Sequence, residues 1–410
     1  MPLLRNWRKK PVTKNSEKRV PALRFKGFTN DWEQRKLEEI TQRIIRKNTN
    51  LTSTLPLTIS AQYGLVDQRI YFEKQIASKK LETYLLLKQG EFAYNKSYSK
   101  DYPFGTIKRL NNYPMGVLST LYIAFKPTLT DTNFLEQYFD SSKWYKEIYK
   151  RATEGARNHG LLNISPLDFF EIIINQPKNK REQKKISKIL KLISLLISLQ
   201  QRKLKDIQLL KKAYLKAIFK SNKSTYKLKD IADYRRGSFP QPYGNPKWYG
   251  GDGSLPFVQV IDVAKNLRLY NSTKQRISRL AQSKSVFVPK DSILITLQGS
   301  IGKVAITQYD AFVDRTLLII SNLKKDVDKY YFAYALQDKF NEEKRKAPGG
   351  TIKTITKNAL SEFQIKLPKK DIQKKQSSIL QKIDKDIYII NLKLSELSKF
   401  KQFLLQNMFI

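Results

Sequence analysis

The chain has no cysteine and a single histidine, His159, among 410 residues. Without thiols there is neither a disulfide framework nor a thiolate metal site, and this usage fits a reducing, cytoplasmic setting. With one imidazole, histidine-based triads and histidine-rich zinc sites lack the partners they need. Long apolar runs are missing as well. The longest, Ile189 to Leu199, is about half a membrane span and contains Lys191, so no membrane partner is expected. The opening MPLLRNWRKKPVTKNSEKRV has no apolar core of signal-peptide length, and residues 1–19 read as a basic arm. Acidic residues are the last scarcity: 36 Asp and Glu face 77 Lys and Arg, a formal charge of +41.

That imbalance points to an anionic partner, because a compact fold carrying so much like charge repels itself. The 40% hydrophobic share belongs to a folded protein, so the charge sits on domains and not on a disordered tail. Nucleic acid is the first candidate, and 22 Tyr and 21 Phe add planar groups for bases or sugars.

The chain repeats itself. REQKKISKIL ends at Leu190 and DIQKKQSSIL at Leu380, 190 residues later. The same offset aligns GLLNIS from Gly160 with GTIKTIT from Gly350, and Lys203, Leu204, Lys211, Leu215 and Phe219 with Lys393, Leu394, Lys401, Leu405 and Phe409. FFEIIINQP, ending at Pro177, corresponds to FQIKLP, ending at Pro368, and KLEEI at Lys36 to KLKDI at Lys227. Two copies of one unit follow, each a globular stretch and then a helical one. The expected layout is a globular domain over 20–180, a long helix over 181–221, a second domain over 222–370 and a second long helix over 371–410.

Ile186, Leu190, Ile193, Ile197, Gln200, Leu204, Ile207, Lys211, Tyr214 and Ile218 recur in steps of four and three. Gln376, Leu380, Ile383, Ile387, Ile390, Leu394, Leu397, Lys401, Leu404 and Met408 do the same. Neither 183–220 nor 373–410 contains Pro or Gly, so each can run as one helix of about 57 Å at 1.5 Å per residue. The plainer reading is two amphipathic helices, each capping its own domain. A stripe this narrow, present twice, favours the two helices covering each other. Connectivity makes that pair antiparallel, with one domain expected at each end and Gln200, Lys211 and Lys401 fixing register. The fold class is therefore α+β: two mixed α/β globular domains separated by two long antiparallel coiled-coil helices, with an internal pseudo-two-fold repeat.

Within the domains, strands are expected at LPLTIS (Leu55), EFAYNKS (Glu91), VLSTLYIAF (Val117), LPFVQVIDV (Leu255), SILITLQ (Ser292), KVAIT (Lys303) and TLLIIS (Thr316). Helices are expected from Asn133 to Ala152 and from Lys329 to Ala347, and a strand leads to each of Pro177 and Pro368. Outside these shared features the copies diverge, so one scaffold carries two sets of loops.

Polar and aromatic residues at strand ends are the candidate nucleic-acid contacts. In the first copy they are Gln62, Tyr63, Tyr94, Asn95, Lys96, Ser97, Arg151, Arg157, Asn158 and His159; in the second, Arg235, Arg236, Gln259, Thr296, Gln298, Ser300, Lys303, Arg315 and Lys353. Gln and Asn can read adenine in a bidentate way and Arg guanine, whereas Lys and hydroxyls mostly hold phosphate. As single loop residues, each is equally suited to satisfying a turn. Catalytic constellations are missing: GSIGK at Gly299 lacks the spacing of a phosphate loop, NPKW at Asn245 lacks the run that holds a flipped base, and no nucleophile, base and electrophile assemble. A non-enzyme is expected.

VPALRFKGFTNDWEQRKLEEI (Val20), RRGSFPQPYGNPKWYGGDGSLPFVQV (Arg235), TLQGSIGKVAI (Thr296) and the doubled P…Q…IL starts of the long helices resemble the specificity subunit of bacterial type I restriction-modification enzymes, over residues 20–410. The resemblance implies two target-recognition domains, each reading one half of a split, asymmetric site on double-stranded DNA. It implies helices that space these domains and dock two methyltransferase subunits, with restriction subunits attached through them. S-adenosylmethionine, ATP and Mg would belong to those partners and not to this chain. The alternative from another class is a basic coiled-coil scaffold that binds nucleic acid without regard to sequence.

Overall fold

The computed structural model describes residues 19–73, 80–152, 162–221, 224–346 and 355–410. Nearly all of the basic arm lies outside the described residues. The chain forms two compact units, one of residues up to Gln200 together with Lys393–Ile410, the other Gln201–Leu392. Each unit therefore takes part of both long helices, Lys180–Ser221 and Lys370–Asn407.

The first unit contains β1 (Glu33–Lys36), β2 (Thr41–Arg43), β3 (Leu57–Ser60), β4 (Gly64–Asp67), β5 (Leu85–Lys88), β6 (Phe92–Asn95), β7 (Thr106–Arg109), β8 (Met115–Leu118), β9 (Ile123–Pro127) and β10 (Ile173–Gln176). β1 pairs with β10, and a four-stranded sheet runs β2-β9-β6-β7. The β3-β4 hairpin and the β5-β8 pair are linked by a parallel bridge between Pro56 and Val117. The second unit contains β11 (Thr225–Lys227), β12 (Ala232–Arg236), β13 (Leu255–Val258), β14 (Gln275–Ile277), β15 (Val286–Val288), β16 (Ile293–Thr296), β17 (Val304–Ile306), β18 (Ala311–Val313), β19 (Leu317–Leu323) and β20 (Gln364–Lys366). Its sheets are β11-β20, β12-β19-β16-β17 and β14-β13-β18-β15, with β13 and β18 parallel. Strand for strand, this is the order of the first unit.

The repeated words of the sequence have a common structural cause. Gln183 is buried; its Oε1 accepts the Asp131 N–H at 2.8 Å and its Nε2 donates to the Pro177 carbonyl at 2.8 Å. Gln373 repeats both bonds, from the Asp328 N–H at 2.9 Å and to the Pro368 carbonyl at 2.7 Å. One glutamine in the first turn of each long helix thus holds the loop ahead of a domain helix and the chain entering its own helix. Leaving such backbone groups buried and unpaired would cost about 1–3 kcal/mol each. Leu37 and Leu228, from KLEEI and KLKDI, are fully buried and donate their N–H groups to the Ile172 and Phe363 carbonyls at 2.9 Å.

All twenty seam positions expected from the periodicity are buried or half-buried, while the intervening lysines and arginines face solvent. In the first unit Ile186, Leu190 and Ile193 share a core with Leu404, Met408 and Phe409. In the second, Ile218 and Phe219 share one with Leu380, and the Lys211 ammonium meets the Asp384 carboxylate at 2.5 Å. Each unit thus combines an early stretch of one helix with a late stretch of the other, the pattern of an antiparallel pair. Of the expected register residues, Lys211 pairs with the other long helix, whereas Lys401 reaches Asp140 of its own unit, where Lys108 also binds.

Two expectations need correction. VLSTLYIAF is not one strand: Ser119 accepts the Tyr122 N–H in a turn, and the chain passes from β8, paired with β5, to β9, paired with β2 and β6. The helix expected from Asn133 to Ala152 is two, Thr132–Asp140 and Tyr145–Arg151. Ser141 ends the first by donating its hydroxyl to the Tyr138 carbonyl at 2.6 Å, and the buried Trp144 indole bonds the Phe139 carbonyl at 3.0 Å. The second long helix stops at Asn407, three residues short of the chain end.

Candidate nucleic-acid interface

In the second unit the ends of four strands are tied to one another. The Gly237 N–H after β12 donates to Leu317 at 3.0 Å and Ser238 to Val313 at 3.1 Å; Asp314 donates to Val258 at 3.0 Å, and Leu297 after β16 to Thr316 at 2.8 Å. Glycine is required at 237, where a Cβ would stand 2.2 Å from the Val313 carbonyl oxygen. These ties bring Arg235 and Arg236, Gln259, Gln298 and Ser300, and Arg315 to one end of the unit, with Gln259 half-buried and the others exposed.

Tyr243, which the strand-end reading missed, organises part of this end. Its hydroxyl accepts from Gln259 Nε2 at 3.1 Å, and the Arg315 guanidinium lies 5.3 Å from its ring centre. Burial first, then the nearby Asp314 carboxylate, pushes the Tyr243 phenol above its ordinary pKa. Asp314 is buried, and one of its oxygens accepts the Thr316 N–H and hydroxyl. The signal for Tyr243 was its place in the run FPQPYGNP, where prolines and glycine shape a loop. An arginine held over an aromatic ring keeps all its N–H donors and loses less freedom on binding. The chemistry offered is planar, cationic and donor-rich, suited to base edges and phosphates.

Two candidates serve the scaffold instead. Thr296 is fully buried: its hydroxyl donates to Ser300 at 2.6 Å and accepts the Lys303 N–H at 2.9 Å, closing the β16–β17 turn. Tyr94 is fully buried in the first unit, stacked 4.7 Å from Phe169 and donating to the Phe104 carbonyl at 2.9 Å. A side chain with no exposed surface makes no contact with a duplex. Lys303 lines a cavity against the first long helix and not the loop cluster.

In the first unit Gln62 and Tyr63 project from the β3–β4 turn, with Tyr63 68% exposed. Asn95, the last residue of β6, accepts the Ser97 N–H, Ser97 is exposed, and the Lys96 ammonium lies 3.5 Å from the Ile164 carbonyl. Arg151 binds Glu147 and the Glu171 carbonyl, each at 2.8 Å, which reduces its availability. Among the described residues no hydrogen bond joins the 62–63 turn to 95–97; Tyr71, Phe72 and Tyr98 add exposed rings that the sequence reading did not single out. Arg157, Asn158, His159 and Lys353 lie outside the described residues. Among the described residues no cluster of His, Cys, Asp and Glu could hold a metal, and no helix is long and apolar enough to cross a membrane.

Two mixed α/β units of one strand order, each sharing two long helices, define a class also found among solved structures. The S subunit of the type I restriction-modification system of M. genitalium aligns with a TM-score of 0.63 at 16% identity, over 95% of this chain and 99% of that one. A structure described for the assembly and conformational transition of the type I R-M system aligns at 0.51 and 17%, over 92% and 97%. At these identities the likeness concerns the fold alone. The model of the family described as type I restriction modification DNA specificity domain matches residues 220–399. The MjaX specificity subunit of a type I restriction enzyme from Methanocaldococcus jannaschii is 25% identical over 293 residues, 66% of this chain and 64% of that protein, so the match spans less than two thirds of that relative. Residues 220–399 thus match the model of the type I restriction modification DNA specificity domain, and the chain as a whole shares the fold of the M. genitalium S subunit.

Proposed function

We propose that the chain is the DNA-specificity subunit of a type I restriction-modification system, acting in the cytoplasm. Each unit reads one half of a bipartite, asymmetric site in double-stranded DNA. The observation that carries this reading is one strand order used twice beneath loops of different sequence: a conserved frame presenting two different surfaces suits a split target whose halves differ. The long helices set the spacing of the two readers and dock two methyltransferase subunits, through which restriction subunits join. Docking is supported by apolar side chains left on the helices' outer faces, Leu195, Leu199, Leu209 and Leu210 on the first and Phe400 and Phe403 on the second, since such stripes mark protein contacts. The chain itself performs no chemistry; S-adenosylmethionine, ATP and Mg are bound by the partners.

Mapping methylated positions in DNA from cells carrying this chain with a cognate methyltransferase subunit tests the proposal. A split motif is expected, and replacing residues 20–180 with those of a relative should change one half of it. Binding that responds to salt but not to sequence, with no motif, would favour the scaffold alternative.

A further inference from the structure

A cavity of about 380 Å³ opens in the second unit between the first long helix, the 264–267 loop, the start of β17 and the domain helix Lys329–Lys346. Lys211, Lys265, Lys303 and Lys344 line it, against one acid, Asp338. Their situations differ. Lys211 is committed to Asp384 and Asn266. Lys303 and Lys344 are half-buried, and neither ammonium has a hydrogen bond or ion pair among the described residues. Burial, and then the neighbouring Lys303 charge, pulls Lys344 below its ordinary pKa. Asp338 does not neutralise the pair: burial pushes its pKa up, and Lys366 leads the cations acting on it. Two half-buried cations lining one cavity repel each other, and an anion bound between them would remove that repulsion. Gln337 is used internally, accepting the Val304 N–H at 3.0 Å and donating to the Gly302 carbonyl at 2.9 Å, which fixes the wall carrying Lys303. Gly302 itself, at φ +78, tolerates no side chain because the Phe340 ring occupies that space.

We propose that this cavity is a phosphate site, in which the Lys303 and Lys344 ammoniums clamp the phosphate group of a ligand. The mode is unlike a phosphate loop, whose backbone N–H groups cradle the ligand; here charged side chains converge from two elements. The phosphate comes either from the DNA backbone or from a free phosphate compound, and the two sources make different predictions.

Calorimetric titration of the full chain with inorganic phosphate, without DNA, tests the site independently of half-site reading. The variant Lys303→Met/Lys344→Met should bind phosphate at least tenfold more weakly than wild type. A control, Lys212→Met/Lys216→Met, removing two exposed lysines from the first long helix, should bind as wild type. Lys344→Met alone should melt at a higher temperature than wild type in phosphate-free buffer and gain little when phosphate is added, because the repulsion has been removed. Equal phosphate binding by wild type and the cavity double variant, or equal losses in both double variants, would overturn the site. If the cavity variant also lowers the salt dependence of DNA binding by about one to two units of slope, the backbone supplies the phosphate. An unchanged slope with lost phosphate binding assigns a free ligand.

Discussion

Removing the Asp384 carboxylate should cost the second unit several times what its ammonium partner costs. Asp384 lies on the second long helix with its side chain 12% exposed; it accepts from Lys211 of the first long helix, itself 11% exposed, and from the Tyr334 hydroxyl of the domain helix. Asp384→Ala strands both: a sheltered ammonium keeps only the 3.4 Å contact to Asn266 and its place 5.3 Å from the Tyr334 ring centre, and a phenol loses its acceptor. Breaking a buried pair from one side costs about 3–5 kcal/mol. Lys211→Met leaves Asp384 hydrogen-bonded to Tyr334 and replaces the lysine stem with a side chain of similar shape, so roughly 1–2 kcal/mol is expected. The triple change Lys211→Met, Asp384→Leu, Tyr334→Phe removes every charge and donor together and should fall within about 1 kcal/mol of wild type. Urea unfolding followed by circular dichroism at 222 nm measures this, as a shift in midpoint at constant slope. An Asp384→Ala midpoint equal to that of wild type, or a triple variant as unstable as Asp384→Ala, would refute a seam held in register by this cluster.

The remaining predictions address the other links of the argument. Gln183→Ala and Gln373→Ala should each destabilise their own unit by about 1–3 kcal/mol, whereas exchanging either for Glu should fail to rescue, because the carboxylate cannot donate to the proline carbonyl; the same urea assay distinguishes them. Burial raises the Asp140 pKa, but Lys108 and Lys401 outweigh it and hold the carboxyl below its ordinary value. Its stabilisation is therefore complete above the unfolded pKa near 3.8 and is lost as pH falls through the lower folded value. Asp140→Asn should melt earlier than wild type at pH 7, with the difference shrinking below about pH 4, as seen by thermal scans across pH. Arg315→Ala should weaken binding to a cognate duplex by about 1–3 kcal/mol and relax the methylated motif at positions in one half only.

Several features were legible because their signals are local or repeated. Zero cysteine and one histidine remove disulfide, thiolate-metal and histidine-triad chemistry by composition alone. The doubled P…Q…IL signature was visible as a repeat, and the structure supplies its reason in the paired bonds of Gln183 and Gln373. The seam was legible because burial of one face of a long helix imposes a fixed step. The site was legible only as a list of residue types. Tyr94 and Thr296 read as surface donors, yet they are buried supports, because strand alternation near a loop does not reveal where the sheet ends. Tyr243 was passed over because its importance comes from contacts with Gln259 and Arg315, 16 and 72 residues away.

The sequence by itself determined the duplication, the two long helices with their buried stripe, the mixed α/β content and the cationic character, since each follows from composition or from a period along one chain. Tertiary structure alone decided that VLSTLYIAF crosses from one sheet to another, that Tyr243 meets Gln259 and Arg315, and that Lys303 and Lys344 line one cavity. Those outcomes depend on which distant segments pack together, and packing energy between segments leaves no period in either of them.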